Sequence, residues 1–442
     1  MSDKAKSVEF EFFGVKDPKK ESTEQARKNI EGMGEDVIMG KISVLESAER
    51  MGALVRDSLK HIADEFATRL HIDPSELPFS LFIFGSPARD LMLPGSDIDI
   101  GLIFKDDCPV YIKEELKQKI RALPFEVDIA KWHSLDAVKK ENCPHMIEYT
   151  NAIEARFIVG NNDIAEKHRD LIEKQDSRQD KERRFITVYN LFHKYNYPTK
   201  KTKFGQDLKY DFGATRDIIF LDWFLAIEKE KASISQEKPA AFVCLDTLLQ
   251  DGVVSPEEQK RVQNAIELIL LTKITLWREN EKTKDEHLLY LSDSSLEHCY
   301  HVIEGTLKKQ GIKSLDEFMY VYANAKASIH ELVEKLYKNV ASRHQESVDL
   351  WEMAKAKTSL DEDVLDALKN PGWNELVPFA VRSTSPEILH YIVKRFSNTP
   401  GLEYILRIIS ENFYITDEIK KDLLVSKLDK KFKAKFEEDF KY

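Results

Sequence analysis

Cysteine is scarce: Cys108, Cys143, Cys244 and Cys299 are scattered over 442 residues, and none falls in the Cys-x-x-Cys spacing of a zinc ribbon. Four such residues give neither a metal framework nor a disulfide framework, and they fit a reducing compartment. Long apolar runs are lacking as well, since no window approaches the roughly 18 residues of a membrane span. The opening Met1-Ser2-Asp3-Lys4-Ala5-Lys6 is charged where a secretory leader would be apolar. A cytoplasmic protein without a membrane partner is expected, although a protein exported into the cytosol of a host cell would have the same composition. Positive charge is in deficit too. A formal net charge of −11 argues against a nucleic-acid partner, which needs basic surface to neutralise phosphates. Lys200, Lys201 and Lys203 form the best short basic strip, a pattern that is usually a solvated loop. Proline (15) and glycine (16) are too few, and apolar residues (42%) too many, for large-scale disorder, so two or three packed domains are expected.

Carboxylates, by contrast, recur in a pattern. Leu81-Phe82-Ile83-Phe84-Gly85-Ser86 and Ser96-Asp97-Ile98-Asp99-Ile100-Gly101-Leu102-Ile103-Phe104 read as two strands facing each other across a short connection. Successive side chains on a strand point to opposite faces, so Asp97 and Asp99 share one side, roughly 7 Å apart at Cα, while Ile98 and Ile100 take the other. Two carboxylates held this way repel unless a cation bridges them or one is protonated. Mg²⁺ suits the task, because it prefers hard oxygen ligands and is usually held by a couple of carboxylates plus substrate phosphates; Mn²⁺ is the alternative ion. Further on, the alternation of Phe125, Val127 and Ile129 puts Glu126 and Asp128 on one face of a third strand, from which either could reach a second ion. A pair of ions can clamp both oxygens of an in-line phosphoryl displacement, and such a carboxylate can also take the proton of the nucleophile.

Gly85-Ser86 completes the pattern. A strand ending in Gly-Ser brings backbone N–H groups and a hydroxyl against a triphosphate, because glycine has no Cβ to block the approach. Ser96 offers a second hydroxyl. Arg89, in the same connection, could neutralise phosphate charge, although a lone loop arginine is more often a solvated surface residue. The plain alternative for Asp97 and Asp99 is one wet face of a strand. The upstream Gly-Ser, the apolar run after Ile100 and the acid on the next strand argue jointly against it. The layout is that of a metal-dependent nucleotidyl transfer site.

These residues resemble the nucleotidyltransferase superfamily that includes DNA polymerase β, whose core pattern is Gly-Ser, a short connection, then Asp-hydrophobic-Asp-hydrophobic. Glu154-Ala155-Arg156-Phe157-Ile158-Val159-Gly160 resembles the stretch that follows the third carboxylate in bacterial PII-protein uridylyltransferase. Asp207-Leu208-Lys209-Tyr210-Asp211-Phe212-Gly213-Ala214-Thr215-Arg216-Asp217-Ile218 is similar to a segment shared by that enzyme and glutamine-synthetase adenylyltransferase. The resemblance covers residues 45 to 230. It implies transfer of AMP or UMP from a nucleoside triphosphate, ATP or UTP, with Asp97, Asp99 and Asp128 as metal and catalytic residues; the family pattern selects Asp128 over Glu126. It implies nucleotide binding by Gly85, Ser86, Ser96 and Arg89, and by Lys209, Arg216 and Asp217 of the second segment. Charged residues at a helix start also pair with one another without touching substrate, so that alternative stands for the last three. Asp211 and Ala214 stand where glycines are expected, Thr215 where an aliphatic residue is, and Asp90 where glycine is common. No His-Asp dipeptide occurs in the sequence, so the hydrolase activity that accompanies the uridylyltransferase is not expected. His298 and His301 lack the further ligands of a zinc site and are expected on a surface or semi-buried helix.

Apolar spacing of three or four from Val44 through Ala48, Met51, Val55, Leu59, Ile62 and Phe66 to Leu70 predicts a long helix ended by Asp73-Pro74. A helix near Ile112 to Ile120 should connect the strands of Asp99 and Asp128, giving a small sheet with helices on one side. Val8 to Phe13 could form an edge strand. Strands are expected to stop after about residue 145, with helical stripes at Phe185, Val188, Tyr189, Phe192 and Tyr195, at Ile218 to Leu225, at Ala265 to Trp277 and at Leu315 to Tyr337. Asn370-Pro371-Gly372-Trp373 breaks the chain. Ser385-Pro386, Thr399-Pro400 and Thr416-Asp417 then place hydroxyls before short helices, as in HEAT-like repeats or a plain bundle. The expected fold is α+β: an N-terminal extension (1–40), a small mixed-sheet nucleotidyltransferase domain (41–145), a helical substrate and acceptor domain (146–345) and an all-α C-terminal region (346–442). A protein acceptor with a tyrosine, serine or threonine hydroxyl is the first expectation. The alternatives are a nucleotidyltransferase acting on a small molecule or RNA, and a nucleotide-binding sensor or scaffold with little transfer activity.

Overall fold

The amphipathic stretch from Val44 to Leu70 becomes the support of the sheet. The computed structural model describes residues 23–129, 154–173, 185–192, 206–207, 213–229, 240–285, 288, 290–369, 371, 373–396, 405–406, 409 and 414–425. After α1 (Thr23–Ile38), helix α2 (Val44–Leu70) starts at Ser43, whose hydroxyl accepts the Glu46 N–H at 3.0 Å, and ends at His71 in the left-handed conformation. Asp73 then caps a short turn that begins at Pro74, as the Asp-Pro pair predicts. Met51, Val55, Leu59, Ile62 and Phe66 of α2 are buried in one cluster with Leu81, Ile83, Ile98 and Ile100 of the sheet. Each such side chain contributes roughly 1.5–3 kcal/mol by leaving water.

The sheet has the order β3-β2-β1-β4, built from β1 (Phe79–Phe84), β2 (Ile98–Phe104), β3 (Val127–Ile129) and β4 (Arg156–Gly160). The pairs β1–β2 and β1–β4 are antiparallel, and β2–β3 is parallel. Parallel neighbours require a crossover, and α3 (Val110–Arg121) supplies it where the Ile112 to Ile120 spacing predicts a helix. Two expectations are corrected. Strands do not stop after residue 145, because Arg156-Phe157-Ile158-Val159-Gly160 joins the sheet as an edge strand beside β1. Helices do not cover one side alone: α4 (Asn162–Glu173) brings His168 to 4.6 Å from the ring of Phe82, on the face opposite Leu81 and Ile83. Cover on both faces explains why all six residues of β1 are buried and why its sequence is apolar throughout except at Ser80, whose hydroxyl donates to the Asn161 carbonyl at 3.0 Å.

A second, larger cluster lies among the helices. It draws on residues 185–192, α5 (Thr215–Lys229), α6 (Ala240–Gln250), α7 (Pro256–Thr283), α8 (Asp293–Lys309) and α9 (Leu315–Arg343). The helices expected at Ala265 to Trp277 and Leu315 to Tyr337 are parts of α7 and α9. His298 and His301 lie on α8, with His298 Nε2 3.3 Å from Glu279 Oε2 of α7. Two-residue strands β5 (Gln206–Asp207) and β6 (Tyr290–Leu291) pair antiparallel beside this core. Beyond α10 (Gln345–Ala356) and α11 (Glu362–Ala367), α12 (Trp373–Arg382), α13 (Pro386–Phe396) and α14 (Asp417–Val425) pack in succession. The Ser385 hydroxyl accepts the Ile388 N–H at 3.4 Å and the Thr416 hydroxyl the Ile419 N–H at 3.3 Å, so two of the three anticipated caps are in place. Thr399-Pro400, Val8 to Phe13, Tyr195, Cys143 and Lys200, Lys201 and Lys203 lie outside the described residues. Among the described residues, no helix is long and apolar enough to cross a membrane.

Candidate active site

Backbone register decides which acids share a face. Asp99 of β2 lies opposite Phe84 of β1 and opposite Asp128 of β3. The pairing of β2 with β3 begins one residue earlier, at Ile98 and Val127, and the Ile98 N–H donates to the Glu126 carbonyl at 2.8 Å. Directly paired strand residues present their side chains to the same face, so Asp99 and Asp128 stand side by side. Ile98 and Ile100 enter the core beneath, and exposed Asp97 immediately precedes β2, two residues before Asp99. Asp97 and Asp128 are exposed and Asp99 is half-buried.

Gly85 closes the arrangement from the β1 side. It follows the strand at φ +69°, in the left-handed region, and a Cβ there would collide with Asp99 Oδ2. The turn therefore approaches the carboxylate as closely as a side-chain-free residue permits. Ser86 is half-buried beside it, and its carbonyl accepts the Leu91 N–H at 3.0 Å, which winds the connection into a compact turn. The donor set, the paired carboxylates Asp99 and Asp128 with Asp97 just ahead of β2, is the hard-oxygen kind that Mg²⁺ takes. Among the described residues no group of three or more potential metal ligands converges on one point, so the fit rests on donor chemistry, register and the cradle at Gly85.

The remaining candidates sit elsewhere than the sequence suggests. Arg89 is not solvated: its side chain is 8% exposed and pairs with the buried Glu154, which also accepts the indole N–H of Trp223. Its carbonyl accepts the Ala240 N–H at 3.0 Å, tying the turn to the start of α6. Ser96 is buried, and its hydroxyl accepts the Leu93 N–H at 3.3 Å, closing the turn before β2. Asp217 is buried in the first turn of α5, where its Oδ2 accepts the Gly213 N–H at 2.8 Å and lies 2.9 Å from His330 Nδ1 of α9. That pairing is the structural alternative left open above, and it fastens α5 to α9. Gly213, at φ +67°, passes so close to Lys326 that a Cβ would run into its backbone, which accounts for the glycine that remains in that segment. Arg216 is half-buried in the same turn of α5, and Lys209 lies outside the described residues.

Sequence reasoning passed over Arg56, Glu154, Arg156, Trp223 and His330. Asp90, the residue standing where glycine is common, holds a left-handed φ of 53° and accepts from Arg56 at 2.5 Å and Arg156 at 3.1 Å. Arg89-Asp90 and Glu154-Ala155-Arg156 are thus joined by opposite charges, Arg89 to Glu154 and Arg156 to Asp90. The signal was present in the departure at Asp90, because an acid in a left-handed turn needs cationic partners once buried. Beneath the same sheet face, burial against Phe82 lowers the pKa of His168 to about 4, so its imidazole is neutral at pH 7.

Comparison with known proteins follows this geometry. Residues 62–193 match the nucleotidyltransferase domain family. The chain is similar to the bifunctional uridylyltransferase/uridylyl-removing enzyme of Haemophilus influenzae strain 86-028NP, with 26% identity over 210 residues, 46% of this chain and 22% of the relative. Its counterpart in strain PittEE gives 27% over 211 residues, again 46% and 22%. The match thus spans about a fifth of the length of these curated relatives. Motif and comparisons together support the nucleotidyltransferase superfamily for this chain, with a nucleotidyltransferase domain matched at residues 62–193 and similarity to the uridylyltransferases.

Proposed function

We propose that the protein transfers the AMP or UMP group of ATP or UTP to a hydroxyl of a protein acceptor in the cytoplasm. The acceptor oxygen bonds to the α-phosphorus as the bond from that phosphorus to the β-phosphate oxygen breaks; pyrophosphate leaves, and the hydroxyl proton passes to Asp128. The observation that carries the reading is the register that puts Asp99 beside Asp128, with Gly85 against Asp99 Oδ2. Asp97, Asp99 and Asp128 would hold Mg²⁺, or Mn²⁺ in its place. When bound, the ion supplies charge neutralisation and alignment of the triphosphate. Gly85 and Ser86 orient the phosphates through backbone N–H groups and a hydroxyl. Similarity to a uridylyltransferase supports a nucleotide donor and a protein acceptor, and the net charge of −11 disfavours RNA.

Incubation with α-labelled ATP or UTP, Mg²⁺ and a cell lysate tests the proposal. Labelled protein bands are expected. Labelled RNA or small metabolites would replace the acceptor, and nucleotide binding without label transfer would make the protein a sensor. The Asp97→Ala/Asp99→Ala variant is expected to lose labelling while still folding; retained labelling would mean the site is elsewhere. Competition among the four nucleoside triphosphates then fixes the base.

A further inference from the structure

Away from the catalytic sheet, a cleft of about 840 Å³ opens where the turn between α1 and α2 meets α7, α8 and α9. Its volume lies within the roughly 300–1,000 Å³ of small-molecule sites. Asn264, Glu267, Leu268 and Leu271 recur at i, i+3, i+4 and i+7, so one face of α7 forms the floor. Val44, Ile312 and Val321 supply apolar wall.

Glu267 is the feature without a structural account. It is half-buried on the floor of a cleft lined by apolar and polar side chains alike, burial raises its carboxyl pKa above the usual value, and among the described residues no hydrogen bond or ion pair engages it. The other charges around the cleft are committed elsewhere or lie in water. Glu46 pairs with Arg50 at 2.5 Å, Lys41 with Asp36 at 2.8 Å, and Glu317 accepts the Lys313 N–H at 2.8 Å. Lys309 is exposed. A half-buried carboxylate without a partner opposes folding, whereas leucine or glutamine at the same helical position would not. A cationic ligand removes that cost on binding.

We infer that the cleft binds a small organic cation, an amine with an apolar body, whose ammonium pairs with Glu267 while its body lies on Leu268 and Leu271. The inference is independent of the transfer reaction, and its test reads binding alone. Calorimetric titration of the full chain with benzylamine, benzyl alcohol and benzoate compares a cation, a neutral analogue and an anion of one shape. Benzylamine is expected to bind, with the other two at least about ten-fold weaker, a difference of about 1.4 kcal/mol. Glu267→Gln, which keeps size and removes charge, is expected to weaken benzylamine by a similar factor. Asn264→Trp, at the exposed end of that floor, should block the cleft while leaving the carboxylate in place. Absence of benzylamine binding, equal binding of benzoate, or undiminished binding to Glu267→Gln would each overturn the inference.

Discussion

Replacing Gly85 by alanine separates the stability of the sheet from the chemistry of its carboxylates. The residue sits at φ +69°, and left-handed backbone costs a residue with a Cβ roughly 1–2 kcal/mol. The new methyl would also collide with Asp99 Oδ2. That oxygen ends a short side chain which can rotate aside, so the collision moves the carboxylate rather than the strand. The expected loss of folding free energy is therefore about 1–2 kcal/mol, the backbone share alone. Activity should suffer far more, because a displacement of about 1 Å at a reacting centre costs on the order of 10²-fold in rate. Urea unfolding followed by tryptophan fluorescence gives the first quantity, and turnover of α-labelled nucleotide the second. Ser86→Ala is the companion variant, since it removes a hydroxyl and leaves Asp99 in place. Gly85→Ala with wild-type turnover and the expected stability loss would refute the reasoning, because Asp99 could then move without consequence for the reaction.

Arg89→Met should destabilise the protein by about 3–5 kcal/mol, since it leaves the buried Glu154 with the Trp223 indole alone, and Arg89→Met/Glu154→Gln should recover much of that loss in urea titrations. His168 is protonated near its ordinary value of 6.5 when unfolded but only near pH 4 when folded, so its contribution is complete above pH 6.5 and declines below it. Wild type should lose about 2 kcal/mol by pH 5 relative to a His168→Leu variant measured at the same pH values. Chelation with EDTA should abolish label transfer and leave far-ultraviolet circular dichroism unchanged, with Mg²⁺ restoring activity; loss of the dichroism signal would make the ion structural. Asp217→Asn should weaken the contact between α5 and α9, lowering the midpoint of thermal unfolding by a few degrees, as about 1–2 kcal/mol implies for a chain of this size.

What the sequence disclosed and what it withheld divide along the range of the interactions. Periodicity is local, so α2, α3, α7 and α9 were readable from the spacing of Val44 to Leu70 and its equivalents. Capping is equally local, which is why Ser385 and Thr416 were found. The edge strand β4 was missed because five residues carry little periodic signal and its partner, β1, lies more than seventy positions upstream. Arg89 was misplaced for the same reason. A loop arginine looks solvated until Glu154 and Trp223 arrive from segments that no window around residue 89 contains.

Those long-range contacts also indicate what the first turn of the site depends on. The connection from Gly85 to Ser96 bears the glycine that presses on Asp99, yet its position is set from outside the sheet: by Glu154 through Arg89, by Arg56 and Arg156 through Asp90, and by Ala240 through the carbonyl of residue 89. Two of these anchors, Trp223 behind Glu154 and Ala240, belong to α5 and α6 of the helical core. A shift of those helices would therefore reach the turn from Gly85 to Ser96 through a backbone hydrogen bond at Ala240 and through the charge-assisted contacts of Glu154. The helical region thus helps to hold the turn in place, and substitutions at Trp223 should alter nucleotide affinity although that side chain lies in the helical core.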